Sequence, residues 1–134
     1  MTQSAGLFCV SEPLELLALW RLVAEAKFHP DPEDRDLWGS PYVNALSTRL
    51  ANAMLVSCEA RGDLDQVARH RKWVSSLPDN VVLPVVKAHL KNDAKTDWWR
   101  DQTQEQKFAY VRGCVSPFEP DRDYLAQLIH EAEV

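Results

Sequence analysis

The sequence predicts an all-α protein in which residues 1–134 form a single domain, a bundle of five or six helices. Its composition includes 16 leucines and 14 alanines but one isoleucine, four threonines and four glycines, and leucine and alanine lose little free energy on entering a helix. Apolar side chains also recur at helical spacing between residues typical of helix ends. An α+β fold is the alternative, with short strands near residues 81–83 and 109–115.

The first two helices are predicted from capping residues and prolines at their starts. Ser11 precedes a helix over residues 13–28 whose apolar residues cover most of its circumference, so we expect this helix to be central. Ser40 caps a second helix over residues 41–61, which begins with a proline and stops before a glycine.

The third and fourth helices follow from a tight turn and a proline. Asp63 caps a helix over residues 64–77, and the short turn before it predicts an antiparallel hairpin with the second helix. The residue before a proline avoids the helical region, so the fourth helix is predicted to begin at Pro84 and to end near Asn92.

Two further helices lie in the last third of the chain. Thr103 and Gln106 match a capping box, which predicts a helix over residues 104–112 that Gly113 ends. The last helix, residues 121–133, has a narrow apolar stripe that is expected to dock on the rest of the bundle.

Residues 50–80 resemble one tetratricopeptide hairpin. The matching pieces are Gly62-Asp63-Leu64 at the turn and Pro78-Asp79-Asn80 at the exit. The resemblance covers about a quarter of the chain and occurs once, whereas a solenoid needs about three copies to bury its faces. We therefore interpret the segment as a helical hairpin rather than as a member of that family.

Charge and cysteine patterns narrow the class of protein. The net charge of −5 is unlike that of a general nucleic-acid binder. The longest uncharged stretch, residues 37–48, is too short and too polar to span a bilayer, and the first ten residues lack the pattern of a secretory signal. We therefore expect a cytoplasmic protein without a membrane partner. The three cysteines include no CxxC pair, which excludes a zinc knuckle or ribbon.

An acidic loop, residues 29–36, follows the first helix, and its acids are Asp31, Glu33, Asp34 and Asp36. The loop lacks the spacing and the glycine of a calcium site, so no metal is predicted. Trp38 and Tyr42 follow it, and aromatic residues beside charges are typical of protein interfaces. The four acids and Trp38 are therefore predicted to bind a protein. A solvated turn with Trp38 in the core is the alternative.

Trp98 and Trp99 are adjacent in a polar stretch. Neighbouring residues of a helix point about 100° apart, so we expect one of the two indoles to be exposed. An exposed tryptophan is typical of an interaction surface, and both residues join the predicted protein-binding set. The alternative is that both fill a groove between helices.

The middle of the chain is basic, because residues 66–95 carry a net charge of +4 between negative ends. If the third and fourth helices lie side by side, their cations form one face that could contact nucleic-acid phosphates: Arg69, Lys72, Lys87, Lys91 and Lys95. The segment offers few residues that read bases, and the whole chain repels polyanions. Nucleic-acid binding is therefore the alternative function, and pairing with acidic groups is favoured.

No catalytic or cofactor-binding motif is present, so neither a catalytic residue nor a cofactor is predicted. A small enzyme is the second alternative, if Cys58 meets His70 or His89 in space, or if Cys114 meets a histidine. The sequence favours a small acidic protein-binding module of the inhibitor, immunity-protein or adaptor type. Its expected partner is another protein with a basic surface, and a homodimer is the other possibility.

Overall fold

The computed structural model describes residues 8–79 and 81–134, which form seven α-helices and no strand. The helices are α1 (Pro13–Lys27), α2 (Pro41–Ala60), α3 (Leu64–Val74), α4 (Val82–Asp93), α5 (Asp97–Arg100), α6 (Gln104–Cys114) and α7 (Arg122–Glu133). The predicted all-α class is confirmed. The α+β alternative is wrong, since residues 82–83 belong to α4 and residues 109–114 to α6.

Three of the seven described helices, α2, α3 and α6, begin at the predicted caps. The Ser40 hydroxyl accepts a hydrogen bond from the Val43 amide at 3.3 Å, and the Asp63 carboxylate accepts one from Gln66 at 3.1 Å. The capping box of α6 has both of its bonds, between Thr103 and Gln106. The cap of α1 is Glu12 rather than Ser11. Local side-chain chemistry therefore determines where these helices start.

Three helices differ from the prediction by two or more residues at an end, and one of them, α3, ends at Val74 instead of residue 77. α4 begins at Val82, so Leu83 is helical although it precedes Pro84. The first amides of a helix have no acceptor within it, so a proline in the first turn costs little. α6 continues through Gly113 to Cys114.

Helix α5 was not predicted because its surroundings are polar. Its cap is Thr96, whose hydroxyl accepts a hydrogen bond from the Trp99 amide at 3.2 Å. The four residues of this turn place Trp98 and Trp99 on different sides of the backbone, one toward the core and one toward solvent.

The helices pack as two connected groups. α1 packs against α2, and α2 packs against α3; α4 and α6 both pack against α7, and α2 contacts α6. The expectation that α1 is central is wrong. Leu14 and Leu22 are 72% and 69% exposed, whereas Val86, Leu90 and Val111 of α4 and α6 are completely buried. α1 is apolar on a side that no other described helix covers.

A buried lysine connects the two groups. Lys27, the last residue of α1, is only 1% exposed. Its ammonium group donates hydrogen bonds to the side-chain oxygen of Asn44 in α2 and to the carbonyl oxygen of Gly113 in α6, the latter at 3.2 Å. No carboxylate pairs with it within the described residues. Burial lowers the pKa of Lys27 to about 8, although the nearby Cys114 opposes this shift.

The stability of the protein is predicted to respond to the titration of Lys27. The unfolded chain holds this proton up to about pH 10.5, whereas the folded chain releases it near pH 8, so the Lys27 contribution to stability rises with pH between these values. Relative to Lys27→Met, the wild type should gain about 2 kcal/mol of unfolding free energy between pH 7 and 9.5.

Urea denaturation of both proteins across this range measures that gain. The comparison with Lys27→Met is needed because burial raises the pKa of Cys114 to about 12 and also raises that of Tyr110. These two groups make the wild type less stable as the pH rises above their unfolded pKa values. A difference between the two proteins that stays constant with pH would contradict the assignment.

Candidate functional site

A concave surface of about 490 Å³ lies beside the acidic loop and is called here the Trp98 groove. Residues 35–36 and 38–42 line it, together with Asp93, Trp98 and Tyr110. The groove therefore lies where the α1–α2 connection meets α4, α5 and α6.

The floor of the Trp98 groove is a hydrogen-bonded cluster around one carboxylate. Asp93 Oδ2 accepts a bond from the indole nitrogen of Trp38 at 2.9 Å and from the Tyr110 hydroxyl at 2.8 Å. No ion pair to Asp93 occurs in the part of the chain that the structure describes. Burial raises the pKa of Tyr110, and the neighbouring Cys114 and Asp93 side chains add to this effect. The phenol therefore stays protonated and remains a donor at physiological pH.

Gly39 allows the residues after the acidic loop to approach Tyr110 closely. A Cβ atom at this position would lie 2.9 Å from the Tyr110 hydroxyl oxygen, which is closer than ordinary packing permits. Trp38 next to it is only 4% exposed, and its ring stacks on His89 with centroids 4.7 Å apart. These contacts hold the residues that follow the acidic loop against α4 and α6.

Two aromatic side chains on the rim are open to solvent. Tyr42 is 85% exposed and Trp98 is 49% exposed. The Trp98 ring packs edge-on against Tyr110, with centroids 4.8 Å apart, so part of it is supported by the floor. The prediction that one of the adjacent tryptophans is exposed is confirmed.

The acidic loop is fixed by bonds within itself and to α4. Arg35 pairs with Asp31 at 3.1 Å, and the Asp34 carboxylate accepts a bond from the Asp36 amide at 3.0 Å. The carbonyl oxygen of His29 accepts a bond from His89 Nε2 at 2.8 Å. The loop is thus held in a defined shape, with its carboxylates exposed.

The structure brings together only part of the predicted protein-binding set. Asp36, Trp38 and Trp98 line the Trp98 groove, and the other three acids of the loop are exposed next to it. Trp99 lies apart in the core with 1% exposure, and its indole nitrogen donates to Glu133 at 3.0 Å. Trp38 belongs to the hydrophobic core, as the alternative interpretation of the acidic loop expected. The predicted role of these residues in binding stays a prediction, and the buried Trp38 and Trp99 can influence a surface only through the fold.

The five cations of the predicted basic face are distributed over different packing units. α3 packs against α2, and α4 packs against α7. Lys87 pairs with Glu131 at 3.3 Å, whereas Arg69 borders a groove formed by α1, α2 and α3. Nucleic-acid binding stays a prediction. It assumed that α3 and α4 lie side by side, whereas each of them packs mainly against another helix.

The two cysteines considered for catalysis, Cys58 and Cys114, lie in different surroundings. Cys58 and His70 line the same groove, but no hydrogen bond joins them among the described residues. Burial raises the pKa of Cys114 to about 12, which makes its thiol a poor nucleophile at neutral pH. Residues 8–79 and 81–134 contain no group of three or more histidine, cysteine or acidic side chains that could hold a metal ion.

Sequence reasoning did not identify Gly39, Asp93 or Tyr110 as parts of a site. Each is unremarkable in its own segment, and they meet only through tertiary packing. The hydrogen bond between Asp93 and Trp38 joins residues 55 positions apart, so no local sequence pattern indicates it.

Comparison with protein-family models, curated proteins and solved structures found no match to this chain. The tetratricopeptide resemblance of residues 50–80 is thus limited to the helical hairpin of α2 and α3, and its last residue, Asn80, lies outside the described residues. Among the helices described, none is both long and apolar enough to cross a membrane.

The close approach at Gly39 predicts a measurable coupling with Tyr110. Gly39→Ala should destabilise the protein by about 1–2 kcal/mol, because the new methyl group displaces the hydroxyl that bonds to Asp93. The same substitution in a Tyr110→Phe background should cost less, since the nearest atom is absent. Unfolding free energies of the four proteins give the coupling, and equal costs in both backgrounds would contradict it.

Proposed function

We propose that this chain is a cytoplasmic protein-binding module of the inhibitor, immunity-protein or adaptor type, which docks a basic segment of a partner protein in the Trp98 groove. The observation that carries the proposal is the exposure of two aromatic rings, Tyr42 and Trp98, on the rim of a groove whose floor is fixed by hydrogen bonds. Tyrosine and tryptophan are enriched among the residues that contribute most to protein interfaces.

The fixed floor favours binding because little has to be ordered when the partner arrives. Trp38 and Tyr110 are both held by Asp93, and Trp98 packs on Tyr110. Immobilising a flexible side chain in an interface costs about 0.5–1.5 kcal/mol, so a surface that is already ordered keeps more of its contact energy as affinity.

The charge beside the groove indicates the chemistry of the partner. The acidic loop has four carboxylates and one cation, Arg35, which is already paired with Asp31. A lysine- or arginine-rich segment would gain favourable charge contacts there, and the negative loop would accelerate its approach.

Peptide selection with the whole chain tests this proposal. A random peptide library displayed on phage is selected against the protein and counter-selected against Trp98→Ala. We expect enriched peptides that combine lysine or arginine with an apolar anchor. Trp98→Ala should weaken a selected peptide by about tenfold or more, as measured by calorimetry. Phe8→Ala removes an aromatic ring that is 82% exposed and does not line the groove, and it should leave affinity unchanged.

Charge reversal at the loop tests the electrostatic part separately. Glu33→Lys with Asp36→Lys should slow association of the selected peptide and reduce its salt dependence, with a nearly unchanged melting temperature. Neither side chain makes a hydrogen bond in the described structure. Glu25→Lys with Glu59→Lys is the matched control, with the same charge change on exposed positions of α1 and α2. Selected peptides that lack basic residues would refute the proposal. Equal binding of the acidic-loop variant and the control variant would refute it as well.

A further inference from the structure

A second groove, of about 350 Å³, lies between α1, α2 and α3 and is called here the α3 groove. Its walls are apolar and come from all three helices: Leu17 and Trp20, Met54 and Cys58, and Trp73. The rings of Trp20 and Trp73 meet edge to face at 5.3 Å, and Trp73 also packs against Phe118 at 5.2 Å. The walls are thus supported by the core, and the volume is within the range of small-molecule sites.

The charged residues of the α3 groove are all cationic. Arg21 of α1 and Arg69 of α3 border it, together with Gln66 and His70, and no acidic residue lines it. Neither arginine forms an ion pair within the described residues, and the remaining positions, 1–7 and 80, include no aspartate or glutamate. In a chain with a net charge of −5, this apolar groove is therefore lined by two arginines and by no acid.

We infer that the α3 groove binds a small amphipathic carboxylate, with its hydrocarbon part against the groove-facing sides of Trp20 and Trp73 and its carboxylate at Arg69 and Arg21. Guanidinium groups bind carboxylates through charge-assisted, often paired hydrogen bonds. Burial of the hydrocarbon part supplies most of the affinity, and the arginines select for an anion. This site is separate from the Trp98 groove and does not depend on the function proposed for it.

Calorimetric titration of the full chain with decanoate, at concentrations below micelle formation, tests the inference. Decanol and decyltrimethylammonium carry the same tail with a neutral and a cationic head. We expect decanoate to bind one site per chain and to change the tryptophan fluorescence, and both comparison compounds to bind about tenfold more weakly or worse. Absence of decanoate binding, or equal binding of decanol, would overturn the inference.

Substitutions of Arg69 test whether decanoate binds in the α3 groove. Arg69→Ala should weaken decanoate by about tenfold and leave decanol unchanged, whereas Arg69→Lys should restore part of the affinity. Arg49→Ala removes an exposed arginine of α2 outside the groove and is the matched control. Equal effects of Arg69→Ala and Arg49→Ala would overturn the site. Sedimentation velocity tests whether a second copy of the chain fills the groove instead. A dimer that Arg69→Glu dissociates would show this and would also overturn the inference.

Discussion

The carboxylate of Asp93 is the contact on which the arrangement of the Trp98 groove depends. It lies at the end of α4, and it accepts hydrogen bonds from Trp38 after the acidic loop and from Tyr110 in α6. Three segments that are distant in sequence are therefore fixed at one oxygen atom. If this carboxylate were lost, the indole N–H of the buried Trp38 would lose its partner, and an unsatisfied buried donor costs about 1–3 kcal/mol.

The buried Lys27 makes a second set of polar contacts that fixes the same region. Lys27 holds α1 to α2 through Asn44 and to α6 through the carbonyl oxygen of Gly113, and its ammonium group lies 5.9 Å from the centre of the Trp38 ring. Apolar packing alone tolerates several side-chain arrangements, whereas hydrogen bonds of buried groups require one geometry. The two polar contacts therefore specify how the α1–α2 pair sits on the rest of the bundle, and with it the shape of the groove.

The sequence predicts features that depend on neighbours along the chain and misses those that depend on distant contacts. The caps at Ser40, Asp63 and Thr103 are local and were predicted correctly. The exposure of one of two adjacent tryptophans follows from helix geometry alone. The exposure of Leu14 and Leu22, by contrast, was not predicted, because helical periodicity does not show which face another helix covers. The burial of Lys27 depends on Asn44 and Gly113, which are distant in sequence, so nothing near Lys27 in the chain indicates it.

Hydrogen exchange of the indole N–H groups, followed by NMR, tests most directly whether Asp93 holds the groove together. In Asp93→Ala, the indole proton of Trp38 should exchange with solvent much faster than in the wild type, because it has lost its acceptor. The indole proton of Trp99, which bonds to Glu133, should keep its protection and so report that the helical body is intact. If the Trp38 indole proton stays as protected in the variant as in the wild type, Asp93 is not the group that fixes this surface.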